Sequence, residues 1–73
     1  MVSGVAVGRK IRELRGELAQ EQLALTAGIS TSTLSRIERG AYQPRLPTLR
    51  KIAAALGVPV SRLLDLDEEV PRV

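Results

Sequence analysis

The chain has 73 residues and a formal net charge of +3, and this length favours one small domain whose function lies on a surface, not in an enclosed cleft. It contains no His and no Cys, so we expect no zinc or other metal site, no disulfide framework, no cofactor and no Cys- or His-based enzyme chemistry. Because there is neither a signal-peptide pattern nor an apolar run of about 18 residues, we expect a cytoplasmic protein without a membrane partner.

Charge is divided unevenly along the chain. Residues 1–64 contain ten Lys or Arg and four acids, whereas residues 65–73 contain one Arg and four acids. Most of the cations are Arg, whose guanidinium matches phosphate bidentately, as on a surface that binds nucleic acid. A genome rich in G and C favours Arg codons and explains the same bias equally well. The composition is therefore compatible with a phosphate binder but does not require one.

Apolar spacing predicts an all-α fold with five helices, of which the first three come before residue 40. The first, over about residues 5–15, is indicated by apolar side chains at steps of three and four: Val7, Ile11, Leu14 and, continuing the spacing, Leu18. The second helix is predicted over residues 20–27. Ser30 is a suitable N-cap for a third helix that continues to about Arg39, before Gly40.

Two further helices are predicted after a loop at residues 41–46. The fourth has Pro47 in its first turn and Gly57 at its end. Pro59 can open a short fifth helix, whose apolar side contains Val60, Leu63 and Leu64. These two helices complete the predicted bundle.

The last residues combine acids with no apolar period. Asp65, Asp67, Glu68 and Glu69 could solvate a terminus, dock on a basic protein partner or bind a divalent cation weakly. Solvation is favoured, because the loop and glycine of a calcium site are missing. We therefore assign residues 1–66 to the domain and residues 67–73 to a flexible acidic tail.

The segment from Gln20 to Gly40 has the spacing of a helix-turn-helix. Leu23, Ala24 and Ala27 form an apolar stripe on the first of its helices, Gly28 supplies the turn, and Ile29 fills the gap before the next helix. This arrangement lets the second helix of the segment enter a DNA major groove.

The outward face of that second helix is polar and has no acid. Leu34 and Ile37 point inward, which leaves on the opposite side Thr31, Ser32, Ser35, Arg36 and Arg39. Arg36 is long enough to pair bidentately with guanine, and hydroxyl groups in the first turn can reach base edges. The alternative is that the hydroxyl residues only cap the helix and the Arg residues are only solvated. This alternative is favoured for Thr33 and Ser35. For Thr31, Ser32 and Arg36, the shared outward face favours base reading.

Several short motifs occur together in one register: IRELR at residues 11–15, QEQLA at 20–24, AGIS at 27–30, LSRIERG at 34–40, Pro44, and the apolar pattern of residues 49–57. In this combination they resemble the phage repressor and Cro-like helix-turn-helix family, also called the xenobiotic response element type. The resemblance covers about residues 7–64. It implies a compact five-helix domain that binds double-stranded DNA, usually as a homodimer, and represses or activates transcription.

Position by position, the resemblance implies roles for individual residues. Thr31, Ser32 and Arg36 match base-reading positions, and those that match contacts to the DNA backbone are Gln20, Thr33, Arg39 and Arg45. Arg15 and Glu38 match a pair that ties the first helix to the end of the third, which would satisfy a partly buried carboxylate. Two separately solvated charges are the alternative.

The connection before Gln20 departs from the family by being shortened. Ala19 stands where a Ser would cap the second helix, and the loss of such a cap costs about 1 kcal/mol. Either the first helix ends early, at Gly16, or Gln20 is displaced relative to the phosphate that it would contact.

A single helix-turn-helix makes few base contacts, so we expect a dimer that binds half-sites about 34 Å apart or a multiple of that distance. The candidate interface residues are apolar: Val58, Val60, Leu63, Leu64 and Leu66. Closure of the monomer core is the alternative role, above all for Leu63 and Val58. The predicted function is a sequence-specific transcriptional regulator, with a repressor favoured over an activator. The alternatives are an antitoxin or adaptor-type interaction module, or a restriction-modification controller.

Overall fold

The computed structural model describes residues 4–64, which form helices and connections without a strand in that range. The predicted all-α, five-helix class is confirmed, with α1 (Gly4–Arg15), α2 (Gln20–Ala27), α3 (Thr31–Glu38), α4 (Leu46–Leu56) and α5 (Val60–Leu64). The predicted acidic tail, and Leu66 with it, lies outside the described residues.

The first helix ends at Arg15, and Gly16 follows with its N–H donating to the carbonyl of Arg12 at 3.2 Å. Leu18 lies in the connection to α2 and is 39% exposed, so the prediction that it continues the apolar spacing of the first helix is wrong. Gly16 has a left-handed backbone with φ +57°, so the helix stops before Leu18 and cannot carry it to the core. Early termination of α1 was the first of the two expected consequences of that connection.

The turn between α2 and α3 is made at Gly28, where the backbone is left-handed with φ +75°. The N–H of Gly28 donates to the carbonyl of Leu25 at 3.2 Å, and the next N–H, of Ile29, donates to Ala24 at 3.0 Å. These bonds satisfy carbonyls at the end of α2, and a residue with a Cβ would be strained at such a φ. The chain then enters α3 through the N-cap Ser30.

The core is aliphatic and receives side chains from every helix of the described region. Its members are less than a tenth exposed: Val7, Ile11, Leu23, Ala24, Ala27, Leu34, Ile37, Leu49, Ile52, Ala53 and Leu63. Removing one such Leu or Ile side chain from water contributes about 1.5–3 kcal/mol. Leu63 is 1% exposed, so the structure assigns it to the monomer core and not to a dimer surface.

Helices α1 and α3 approach closely at Gly8. A Cβ added there would lie 2.7 Å from the carbonyl oxygen of Glu38 and would also meet that of Ile37. No real Cβ is accommodated at such distances, so a side chain here would force the two helices apart. This contact packs the first half of α1 against the end of α3, and Arg15, the last residue of α1, also bonds to Glu38.

Candidate functional site

The exposed side of α3 carries the residues predicted to read bases. Ser32 and Arg36 are exposed, and Thr31 is half-buried at the start of the helix. The guanidinium Nη2 of Arg36 donates to Oγ of Ser32 at 3.3 Å, as residues four apart on one helix face can. The structure therefore brings Ser32 and Arg36 into one polar unit on the outward face.

The first turn of α3 is capped as the sequence predicts. Oγ of Ser30 accepts a hydrogen bond from the backbone N–H of Thr33 at 3.0 Å. The Ser30 hydroxyl also donates to Oγ1 of Thr33 at 2.8 Å. Thr33 is half-buried and takes part in this cap, and its own hydroxyl hydrogen remains available for a further acceptor.

Two exposed arginines flank the end of α3. Arg39 is the C-cap of the helix, and its Nε donates to the carbonyl of Ser35 at 3.3 Å. Arg45 is the N-cap of α4, where its side chain makes no capping hydrogen bond. A guanidinium has no acceptor, so it cannot satisfy the first N–H groups of that helix.

Arg15 and Glu38 form a bidentate ion pair between α1 and α3. Nε and Nη2 of Arg15 donate to the two carboxylate oxygens of Glu38 at 2.8 and 2.9 Å. The Arg15 side chain is 16% exposed and that of Glu38 is 4% exposed. Nη1 of Arg15 also donates to the carbonyl of Leu18 at 2.7 Å, so the same guanidinium holds the shortened connection.

Gln20, the first residue of α2, joins this pair. Its Nε2 donates to Oε1 of Glu38 at 3.1 Å, and its side chain is half-buried. The sequence analysis did not predict this bond. One signal for it was present, because Gln20 closely follows Arg15, whose predicted partner is Glu38. Ala19, the N-cap of α2, makes no side-chain bond, as its methyl group dictates.

The remaining dimer candidates lie at the other end of the chain. Val58, Val60 and Leu64 are partly buried and pack against the core, so each retains some exposed apolar surface. The structure does not bring them together with the α3 face into one site: they belong to α5 and the connection that precedes it.

Within residues 4–64, no helix is long and apolar enough to cross a membrane. The same residues contain no group of three or more Asp or Glu side chains placed to hold a metal ion.

Comparisons with known proteins give a consistent result. A helix-turn-helix family model matches residues 9–63. The immunity repressor protein of Bacillus phage phi105 is 45% identical over 62 residues, which cover 82% of this chain and 43% of that protein. The chain spans about half the length of such curated relatives, between 43% and 55% of three of them.

Solved structures are similar in fold as well as in sequence. The restriction-modification controller protein C.AhdI from Aeromonas hydrophila matches with a TM-score of 0.79 and 35% identity, over 82% of this chain and 94% of that chain. SinR, a master regulator for biofilm formation solved in complex with DNA, matches with a TM-score of 0.76 and 39% identity, over 81% and 98% of the two chains.

Proposed function

The chain belongs to the phage repressor and Cro-like helix-turn-helix family, and from that premise we propose that it is a sequence-specific transcriptional regulator, acting as a repressor, that reads DNA with α3. The observation that carries this proposal is the outward face of α3. It presents Ser32 and Arg36 as a bonded pair, and the one acid of the helix, Glu38, is buried and neutralised by Arg15. A face without exposed carboxylate is compatible with the dense negative charge of a duplex.

The side chains proposed to read bases on this face are those of Thr31, Ser32 and Arg36. Arg36 can donate two hydrogen bonds to O6 and N7 of guanine, a contact that contributes about 1–3 kcal/mol of discrimination. The bond from Arg36 to Ser32 holds the guanidinium along the helix and reduces the rotamer freedom lost on binding. Thr31, in the first turn, offers a hydroxyl and a methyl group, and the methyl can contact that of thymine.

Backbone contacts would surround that reading face. Arg39 and Arg45 are exposed cations at the end of α3 and the start of α4, and Thr33 retains a hydroxyl donor. The first N–H groups of α2 and α4 lack a side-chain cap, and uncapped helix N-termini favour phosphate. We include Gln20 among these contacts, through the amide hydrogen that its bond to Glu38 does not use.

The test is selection of bound fragments from sheared genomic DNA, followed by titration of a selected fragment across a salt series. We expect one fragment class to be enriched, and the logarithm of its affinity to fall linearly with the logarithm of salt concentration, because each neutralised phosphate releases counterions. Undetectable binding, or binding that is insensitive to salt, would contradict the proposal.

A homodimer is part of the proposal, because two modules double the number of base contacts on one face of the duplex. The partly exposed apolar side chains that would pair are Val58, Val60 and Leu64. Sedimentation equilibrium of the protein and of Val60→Glu measures this: we expect the wild type to dimerise and the variant to remain a folded monomer. The proposed homodimer would be excluded if the wild type were monomeric in solution and bound DNA as one protein molecule on one half-site.

A restriction-modification controller is a second candidate within the same class. It is favoured by the match to the C.AhdI structure, which covers 94% of the C.AhdI chain and 82% of this chain. Neighbouring genes test it directly, since a controller is expected beside a methyltransferase and an endonuclease. Their absence would leave the broader proposal of a repressor standing and remove this candidate.

A further inference from the structure

We propose that Glu38 is a positioning residue for Gln20: its buried carboxylate turns the Gln20 amide so that one N–H is held by the protein and the other N–H is presented to a DNA phosphate. This inference rests on the proposed function. It concerns a residue that cannot itself reach DNA, because its side chain is 4% exposed.

The orientation of the amide follows from hydrogen-bonding chemistry. A glutamine amide has an oxygen end that only accepts and a nitrogen end with two donors, and a carboxylate only accepts. Glu38 therefore fixes the nitrogen end of Gln20 toward itself, at 3.1 Å from Nε2 to Oε1. The two N–H bonds of an amide diverge, so the second one points away from Glu38. A phosphate oxygen is also only an acceptor, which makes this second N–H the matching group.

The carboxylate can play this role because it is itself held. Nε and Nη2 of Arg15 bond to its two oxygens at 2.8 and 2.9 Å, which neutralises its charge and fixes its plane. Without Arg15, a carboxylate close to the duplex would repel phosphate. With Arg15 in place, Glu38 orients the amide of Gln20 and its carboxylate repels phosphate little.

The place of Gln20 in the chain makes this orientation consequential. It is the first residue of α2, and its side-chain amide is already bonded to Glu38 in the free protein. A free glutamine side chain has many rotamers, and ordering it on DNA would reduce affinity. The bond to Glu38 restricts those rotamers before DNA arrives.

Glu38→Gln separates this role from simple charge. If charge alone mattered, removing an anion near the interface would tighten DNA binding, as it should for the matched control Glu21→Gln, whose side chain is exposed in the first turn of α2. If Glu38 positions Gln20, Glu38→Gln should instead weaken DNA binding. We expect about a three- to tenfold loss of affinity, the size of one net hydrogen bond, with an unchanged salt slope because no cation is removed.

A double-mutant cycle with Gln20→Ala isolates the coupling. In the Gln20→Ala background, Glu38→Gln is expected to cause no further loss. The inference would be overturned if the two losses of DNA affinity multiplied in the double variant, or if Glu38→Gln bound DNA more tightly than the wild type. In either case, DNA binding by the wild type would still support the proposed function. If the wild type did not bind DNA, both would fail.

Nuclear magnetic resonance of the wild type tests the orientation without any substitution, using exposed Gln22 and Gln43 as internal controls. We expect one Hε2 proton of Gln20 to lie downfield and to exchange more slowly than those of the two controls. On addition of the selected DNA fragment, the other Hε2 proton of Gln20 should be the one that shifts. Amide signals of Gln20 that match Gln22 and Gln43 in the free protein would overturn the inference.

Discussion

Arg15 and Glu38, 23 positions apart in the chain, are joined by two hydrogen bonds of 2.8 and 2.9 Å that connect α1 to the end of α3. The guanidinium also bonds to the carbonyl of Leu18, and the carboxylate also accepts from Gln20. One ion pair thus connects α1, the shortened connection, α2 and α3. It therefore links the helix-turn-helix to α1.

Glu38→Ala is expected to lower stability strongly, because it leaves the mostly buried Arg15 without its partner. Removal of one member of a buried pair costs about 3–5 kcal/mol, which in a domain of this size lowers the melting temperature by about 10 °C or more. Thermal unfolding followed by circular dichroism measures it. Glu17→Ala, at an exposed position of the connection, is the control and should change little. Equal melting temperatures for the two variants would mean that the pair contributes nothing.

Ala19→Ser is expected to stabilise the domain. Ala19 is the N-cap of α2 with extended backbone angles of φ −63° and ψ 143°, the conformation from which a Ser hydroxyl bonds to the first turn. The gain should be about 0.5–1 kcal/mol, seen as a rise in melting temperature. Ala41→Ser, in the exposed loop after α3, adds the same hydroxyl away from a helix start and should have no effect. Equal changes in both variants would show that the cap is not the cause.

Gly8→Ala tests the close approach of α1 and α3 through the sign of its effect. In an exposed helix the change would stabilise by about 1 kcal/mol, because Ala has the higher helix propensity. Here the added Cβ would lie 2.7 Å from the carbonyl oxygen of Glu38, and the overpacking should lower stability by about 1–3 kcal/mol instead. Urea denaturation gives the free energy of unfolding. A more stable Gly8→Ala protein would be incompatible with this helix contact.

Helix positions could be predicted from the sequence because they depend on local signals. The three- and four-residue spacing around Val7 and Ile11, the cap at Ser30 and the turn at Gly28 each act within a few residues, and the structure has all of them. The third helix ends at Glu38, one residue before the predicted Arg39, which is its C-cap.

Features that depend on distances between helices could not be derived in the same way. Apolar spacing on a helix as short as α5 cannot distinguish a core residue from a surface residue, so the sequence allows both roles for Leu63, which the structure buries. The bond from Gln20 to Glu38 depends on where the start of α2 lies beside the end of α3. That relationship follows from the turn at Gly28, which the sequence predicts, together with the contact at Gly8, which no spacing rule encodes.

Base reading by α3 is tested by comparing Arg36→Ala with Arg39→Ala on the selected DNA fragment, on its single-base variants and across a salt series. Arg36→Ala is predicted to lose the preference for one base pair, equivalent to about 1–3 kcal/mol, because the guanidinium bonded to Ser32 is the proposed reader. Arg39→Ala is predicted to keep every base preference and to reduce the salt slope by about one unit. If Arg36→Ala kept all base preferences of the wild type, Arg36 would not be the base reader that is proposed here.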